Sequence, residues 1–134
     1  MTKKPRKLNI MVCVTSQLTC DKLIARGMER AAAVNIPTEL HVVHCVETGR
    51  NFLNTPYEAD AIEYLFTAAQ LAGAGLSMLR ADDVVDALVG YAQEHEVGLI
   101  ILGAAGPTGS SKEPIPIRLQ RKLPGVEFDI VAPN

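Results

Sequence analysis

The feature that most constrains this chain is an alternation of two apolar periodicities. Short, β-branched, nearly continuous apolar runs occur at Leu8 to Thr15 (LNIMVCVT), Thr38 to Glu47 (TELHVVHCVE), Leu76 to Arg80 (LSMLR), Val97 to Gly103 (VGLIILG) and Val126 to Pro133 (VEFDIVAP). Runs of this kind suit strands covered on both faces. Between them, apolar residues recur every three or four positions, as on one side of a helix. The first helical face is Leu23, Ile24, Gly27, Met28, Ala31 and Val34, with Ser16 or Thr19 as its cap. The second is Ala61, Ile62, Leu65, Ala68, Ala69 and Ala72, starting near Tyr57 and closed by Gly73 or Gly75. The third is Val84, Val85, Leu88 and Ala92, with Asp82 as N-cap, and IRLQRKL (Ile117 to Leu123) gives a short fourth. Strands alternating with helices in this way predict an α/β domain with a doubly wound parallel sheet of five strands and right-handed crossovers. The strand at Val97 to Gly103 is the most apolar and is expected at the centre.

A length of 134 residues, 48% of them hydrophobic, fits one domain with one core. The basic run at Lys3 to Lys7 precedes the first strand, so residues 1–7 are read as a solvated tail and 8–134 as the domain. A net charge of −2 argues against nucleic acid as a partner. No apolar run approaches the ~18 to 20 residues that cross a bilayer, and the N-terminus does not read as a secretory signal. Cys13, Cys20 and Cys45 form an odd set without CxxC spacing, which points to reduced thiols in the cytoplasm.

In doubly wound sheets, ligands sit outside the carboxyl ends of the strands, where strand order reverses. That rule collects Thr15, Ser16, Gln17, the end of the second strand and the segment Gly103 to Ser111 on one rim. Gly103, Gly106 and Gly109 are spaced three apart. Their bare backbone, with the Ser110 and Ser111 hydroxyls and Lys112, suits an anion-binding nest; equally, the glycines only permit a sharp exit from a buried strand. The spacing is neither that of a P-loop nor that of a dinucleotide fingerprint. Thr15, Ser16 and Gln17 suit the polar edge of a purine, and Ser16 equally suits a helix cap.

His41 and His44 fall on opposite faces of the second strand by their odd spacing. With Cys13 and Cys45 they supply too few converging ligands for a metal, and core or rim packing is expected of them. His95, between two glutamates, reads as solvated. Asp60, Glu63, Asp82, Asp83 and Asp86 read as outer helix faces and caps. No nucleophile elbow occurs and no carboxylate pair sits in an apolar setting, so a binding protein is expected rather than an enzyme.

VCVTSQLT, LHVVHCVE, DDVVDALVGYAQEHEVGLIILG and GAAGPTG, in this order from Leu8 to Pro133, resemble the universal stress protein family. The opening VCVTSQLTCDKLIARGMERAA is similar to the universal-stress-like domain of Kdp-type potassium sensor kinases. The resemblance implies strand order 3-2-1-4-5, a cytoplasmic regulatory role, an adenine nucleotide (ATP, AMP or cyclic di-AMP) as ligand, and a homodimer through the last strand, Val126 to Val131. That short strand also reads as an apolar sheet edge open to a partner. Carried over, the resemblance places Thr15 where ATP-binding members have Asp. It also places a backbone contact to adenine near Leu40, the first two phosphate glycines at Gly103 and Gly106, and His44 where cyclic di-AMP would meet an aromatic ring. Pro116 and Ile117 stand where the family motif has Gly and Ser or Thr, which removes an N–H and a hydroxyl from the phosphate site. An alternative therefore stands beside the nucleotide reading: a dimeric interaction module that has lost the phosphate site.

Overall fold

The computed structural model describes residues 7–15, 17–104 and 113–132. Ser16, Gly106, Gly109, Ser110, Ser111 and Lys112 lie outside the described residues, as do 1–6 and 133–134, and the side chain of Gln17 is not described. Five strands, β1 (Leu8–Cys13), β2 (Thr38–Glu47), β3 (Gly75–Ala81), β4 (Val97–Gly103) and β5 (Glu127–Val131), form one sheet in the order β3-β2-β1-β4-β5. Every neighbouring pair is parallel. The expected fold class and strand order are those observed. β1, rather than the more apolar β4, is the middle strand, because β5 pairs with the outer side of β4.

The side-chain period of two sorts the core onto two faces. Ile10, Val12, Leu40, Val42, Leu99 and Ile101 point towards α1 (Gln17–Ala32) and α2 (Glu58–Leu71). Met11, Cys13, Val43, Ile100 and Leu102 point towards α3 (Val84–Glu94) and α4 (Ile115–Lys122). Both layers are continuous and apolar, which is why the strands read as unbroken hydrophobic runs.

α1 lies close to the sheet through Gly27. A Cβ there would meet Val12 Cγ2 at 2.9 Å and Leu40 Cδ2 at 3.3 Å. The helix consequently turns Cys20, Leu23, Ile24 and Gly27 inward, and the expected inward positions Met28 and Val34 are exposed. Met28 is rotated by one residue from the Gly27 contact, and Val34 lies beyond the helix end.

Two helix starts depart from expectation, and one of the two caps expected for α1 drops out. Thr19 lies inside the first turn of α1 and does not cap it. Asp83, not Asp82, caps α3, its carboxylate accepting from the Asp86 N–H at 3.0 Å. α4 starts at Ile115, two residues early, because Pro116 needs no hydrogen bond in a first turn. His95 also departs: it ends α3 stacked on Tyr91, with ring centroids 4.0 Å apart. Its neighbour His41 is buried, its Nδ1 3.0 Å from the Tyr91 hydroxyl and its Nε2 3.2 Å from Asn9 Oδ1.

Candidate functional site

The carboxyl ends of β1, β2 and β4 open into a cavity of about 560 Å³. From β1 the chain turns to α1 on one face, and from β4 to α4 on the other, so the cavity occupies the point where strand order reverses. Its walls are mostly apolar. Val14 and Leu23 line one side, Val85 and Leu88 the other, and Leu102 and Val131 the base. A volume of this size lies within the roughly 300 to 1,000 Å³ typical of small-ligand sites.

Thr15 and Gly103, both expected at the rim, line the cavity. His44 also lines it, but as a fastener rather than an open ring face. Its ring is 3% exposed and lies 5.8 Å, centroid to centroid, from Phe52. The Leu53 N–H donates to His44 Nε2 at 2.9 Å, so the ring proton must be on Nδ1, which donates to the Val14 carbonyl at 2.7 Å. Burial holds the imidazole pKa below its ordinary value, against the opposing pull of the Val14 carbonyl. The neutral tautomer thus ties β2 both to the end of β1 and to the loop that follows β2.

Leu40 is a correction. It pairs with Ile10 in the lower half of β2 and packs beneath Gly27, away from the cavity. Ten residues of β2 carry the chain well past it, so the strand meets the cavity through Val43 to Glu47. Ser16, Gly106, Gly109, Ser110 and Ser111, also expected at the rim, lie outside the described residues.

Sequence reasoning missed the charged groups of the site. Lys22 of α1, Arg50 of the loop after β2 and Arg118 of α4 line the cavity from three separate elements. Lys22 Nζ donates to the Ala132 carbonyl at 2.6 Å, Arg50 Nε to Glu47 at 3.3 Å, and Arg118 lies 3.7 Å from Asp83. Glu47, Asp82, Asp83 and Glu113 also line the cavity. The capping N–H of Asp86, and secondarily the Arg118 charge, hold the Asp83 carboxyl below its ordinary pKa. The signal for Arg50 was its position directly after a strand's carboxyl end; Lys22 and Arg118 carried none, since only the fold brings them together.

The loop carrying Arg50 is fixed at several points. Arg80 donates to the Arg50 carbonyl at 2.6 Å, and its guanidinium carbon lies 4.4 Å from the Phe52 ring centroid. The Phe52 N–H donates to Glu58 at 2.7 Å. Cys13 and Cys45 also line the cavity. Burial, and then the neighbouring Cys45, pushes the Cys13 thiol up to about 12, and burial raises that of Cys45. Both therefore stay protonated near neutrality. Among the described residues no cluster of three or more His, Cys, Asp and Glu side chains suits a metal ion. Among them, too, no helix is long and apolar enough to cross a membrane.

No family model and no curated protein matches the chain. Among solved structures it is similar to a universal stress protein in complex with cAMP, at 24% identity over 93% of this chain and 96% of that one, with a TM-score of 0.65. A universal stress protein family member from Arabidopsis thaliana with AMP bound shares 11% identity over 95% of this chain and 92% of that one, at TM-score 0.57. The universal stress protein from Archaeoglobus fulgidus in complex with dAMP shares 15% identity over 93% and 96%, at TM-score 0.52. The fold is that of universal stress proteins, several of which carry an adenine nucleotide.

Proposed function

We propose that this chain is a non-catalytic regulatory module that takes up an adenine nucleotide in the cavity at the carboxyl ends of β1, β2 and β4. The observation that carries the reading is the cavity itself, an apolar slot at the strand-order reversal with cations reaching it from three elements. The apolar walls suit a purine, Thr15 and the backbone of Val46 and Glu47 lie where its edge would be read, and Lys22, Arg50 and Arg118 suit phosphate. Universal stress proteins with cAMP, AMP and dAMP support the same ligand class. AMP, ATP and cyclic di-AMP remain the ligands to compare. Cyclic di-AMP enters through the similarity of the opening sequence to the Kdp-type sensor domain.

A second reading is favoured by a specific observation: four acids share the lining with three cations, and Pro114 and Pro116 form part of its wall. A proline offers no N–H to a phosphate. On this reading the chain is an interaction module that dimerises through β5 and holds no nucleotide. β5 is the sheet's outer strand, and Ile130 on it is exposed. A cytoplasmic setting belongs to both readings.

Isothermal titration with AMP, cAMP, ATP and cyclic di-AMP, with GMP as contrast, separates them. The nucleotide reading expects saturable heat from an adenine ligand and little from GMP. Absence of heat from all of them at millimolar concentration overturns it and leaves the second reading. Sedimentation at micromolar concentration tests the dimer, and a single-chain mass refutes it.

A further inference from the structure

We infer that the flank of α2 beside α1 is a docking surface for a basic amphipathic helix of another protein. Tyr64 and Leu71, seven residues apart within α2, both line this flank and are 49% and 82% exposed, and Tyr57, seven residues before Tyr64 at the N-cap, is 73% exposed. A seven-residue apolar repeat on an α-helix forms a seam that a second helix can follow. Singly exposed apolar residues need no explanation, but a row at helical repeat beside a groove does.

The groove is about 470 Å³ in volume, with Asp21 of α1 on one side and Asp60, Glu63, Tyr64 and Leu71 of α2 on the other. Tyr64 is held upright by donating its hydroxyl to the Asp21 carboxylate. α1 and α2 both connect parallel strands, so they run in the same direction. With Asp21 level with Tyr64, a further seven residues brings Met28 level with Leu71. Met28 is 47% exposed, and Leu71 lines the groove at this end.

Charge selects the partner. Among the described residues, three carboxylates line the groove and no cation does. Among the described residues, neither Asp60 nor Glu63 takes part in an ion pair. A helix with apolar residues on one stripe and Lys or Arg flanking it would cover the seam and neutralise these acids. The surface lies on a helix layer, apart from the cavity at the strand ends, so it stands whether or not a nucleotide binds there.

The test is fluorescence anisotropy with the full chain and a synthetic helical peptide as long as α2, 14 residues. Its a and d positions are Leu and its flanks Lys. A glutamate-flanked analogue is the contrast. The account expects saturable binding of the Lys peptide and none of the Glu peptide. Asp60→Lys with Glu63→Lys, or Leu71→Ser, is expected to weaken binding about tenfold or more. Asp86→Lys with Glu94→Lys, on α3 across the sheet, makes the same change in net charge and is expected to leave binding within about twofold. Lack of binding at millimolar peptide overturns the proposal. Equal loss in the α3 variant does so too, since attraction would then be general. A chain that dimerises, and becomes monomeric on Leu71→Ser, overturns it in favour of a second copy as occupant.

Discussion

Replacing His44 with Phe removes both hydrogen bonds of the ring while keeping its volume near that of an aromatic side chain. Two groups lose their partner: the Val14 carbonyl and the Leu53 N–H, on residues that are themselves buried. A buried polar group left unsatisfied costs about 1 to 3 kcal/mol. Two of them cost roughly 2 to 6 kcal/mol, against which the apolar ring regains about 1 kcal/mol of transfer energy. The net expectation is a loss of about 1 to 5 kcal/mol. Equilibrium urea unfolding reads this directly. With a slope of about 2 kcal/mol per molar for a domain of this size, the midpoint falls by roughly 0.5 to 2.5 M at unchanged slope. The same residue makes a prediction in pH. The buried imidazole binds its proton less readily in the folded chain than in the unfolded one. The unfolded state then binds more protons, so stability rises with pH through the window below about 6.5 and is lost progressively as pH falls through it. In His44→Phe that slope shrinks, leaving the part carried by His41, which burial lowers likewise, and, at more acid pH, by carboxyls such as Asp83 that are held below their ordinary pKa. A variant within about 0.5 kcal/mol of wild type, with an unaltered acid slope, would refute the account of His44 as the fastener of β2 to its loop.

Other consequences are independent of that residue. Gly27→Val drives a branched side chain into Val12 and Leu40, neither of which has room to move. It is expected to destabilise the fold by about 2 to 3 kcal/mol in the same urea assay. Asp129 of β5 holds Arg26 at 2.9 Å and Arg30 at 3.0 Å, with its side chain only 12% exposed. Asp129→Ala is expected to cost about 1 to 2 kcal/mol, a loss that narrows in high salt because both arginines are partly solvated. Arg50→Ala, in the loop that His44 fixes, is expected to weaken AMP about tenfold in calorimetry with the unfolding midpoint unchanged. An unaltered affinity would remove Arg50 from the phosphate site.

The sheet was legible because burial on both faces forces continuous β-branched runs, and β1 and β4 consist of such runs. What escaped the sequence depended on neighbours far along the chain. Met28 reads as core by spacing, but the close approach at Gly27 sets the helix rotation and leaves Met28 outside. Asp82 and Asp83 are equivalent as caps until the backbone selects the one that reaches Asp86. Leu40 was placed at the rim by likeness to a motif, whereas the ten residues of β2 place that end at Val46 and Glu47. Thr15 and Gly103 were found because the rim rule depends only on where a strand ends. Arg50 follows the end of β2 and was open to the same rule, whereas no local pattern marks Lys22 and Arg118, which meet the cavity only through tertiary folding.

Amide chemical-shift mapping on the ¹⁵N-labelled chain locates the ligand most directly. Titration with AMP is expected to move Thr15, Val46, Glu47, Gly103 and Ala104 together along one saturable curve, and to leave Tyr64 and Leu71 on the far helix unmoved. Shifts confined to other surfaces, or none at millimolar AMP, would contradict an adenine nucleotide site at the strand ends.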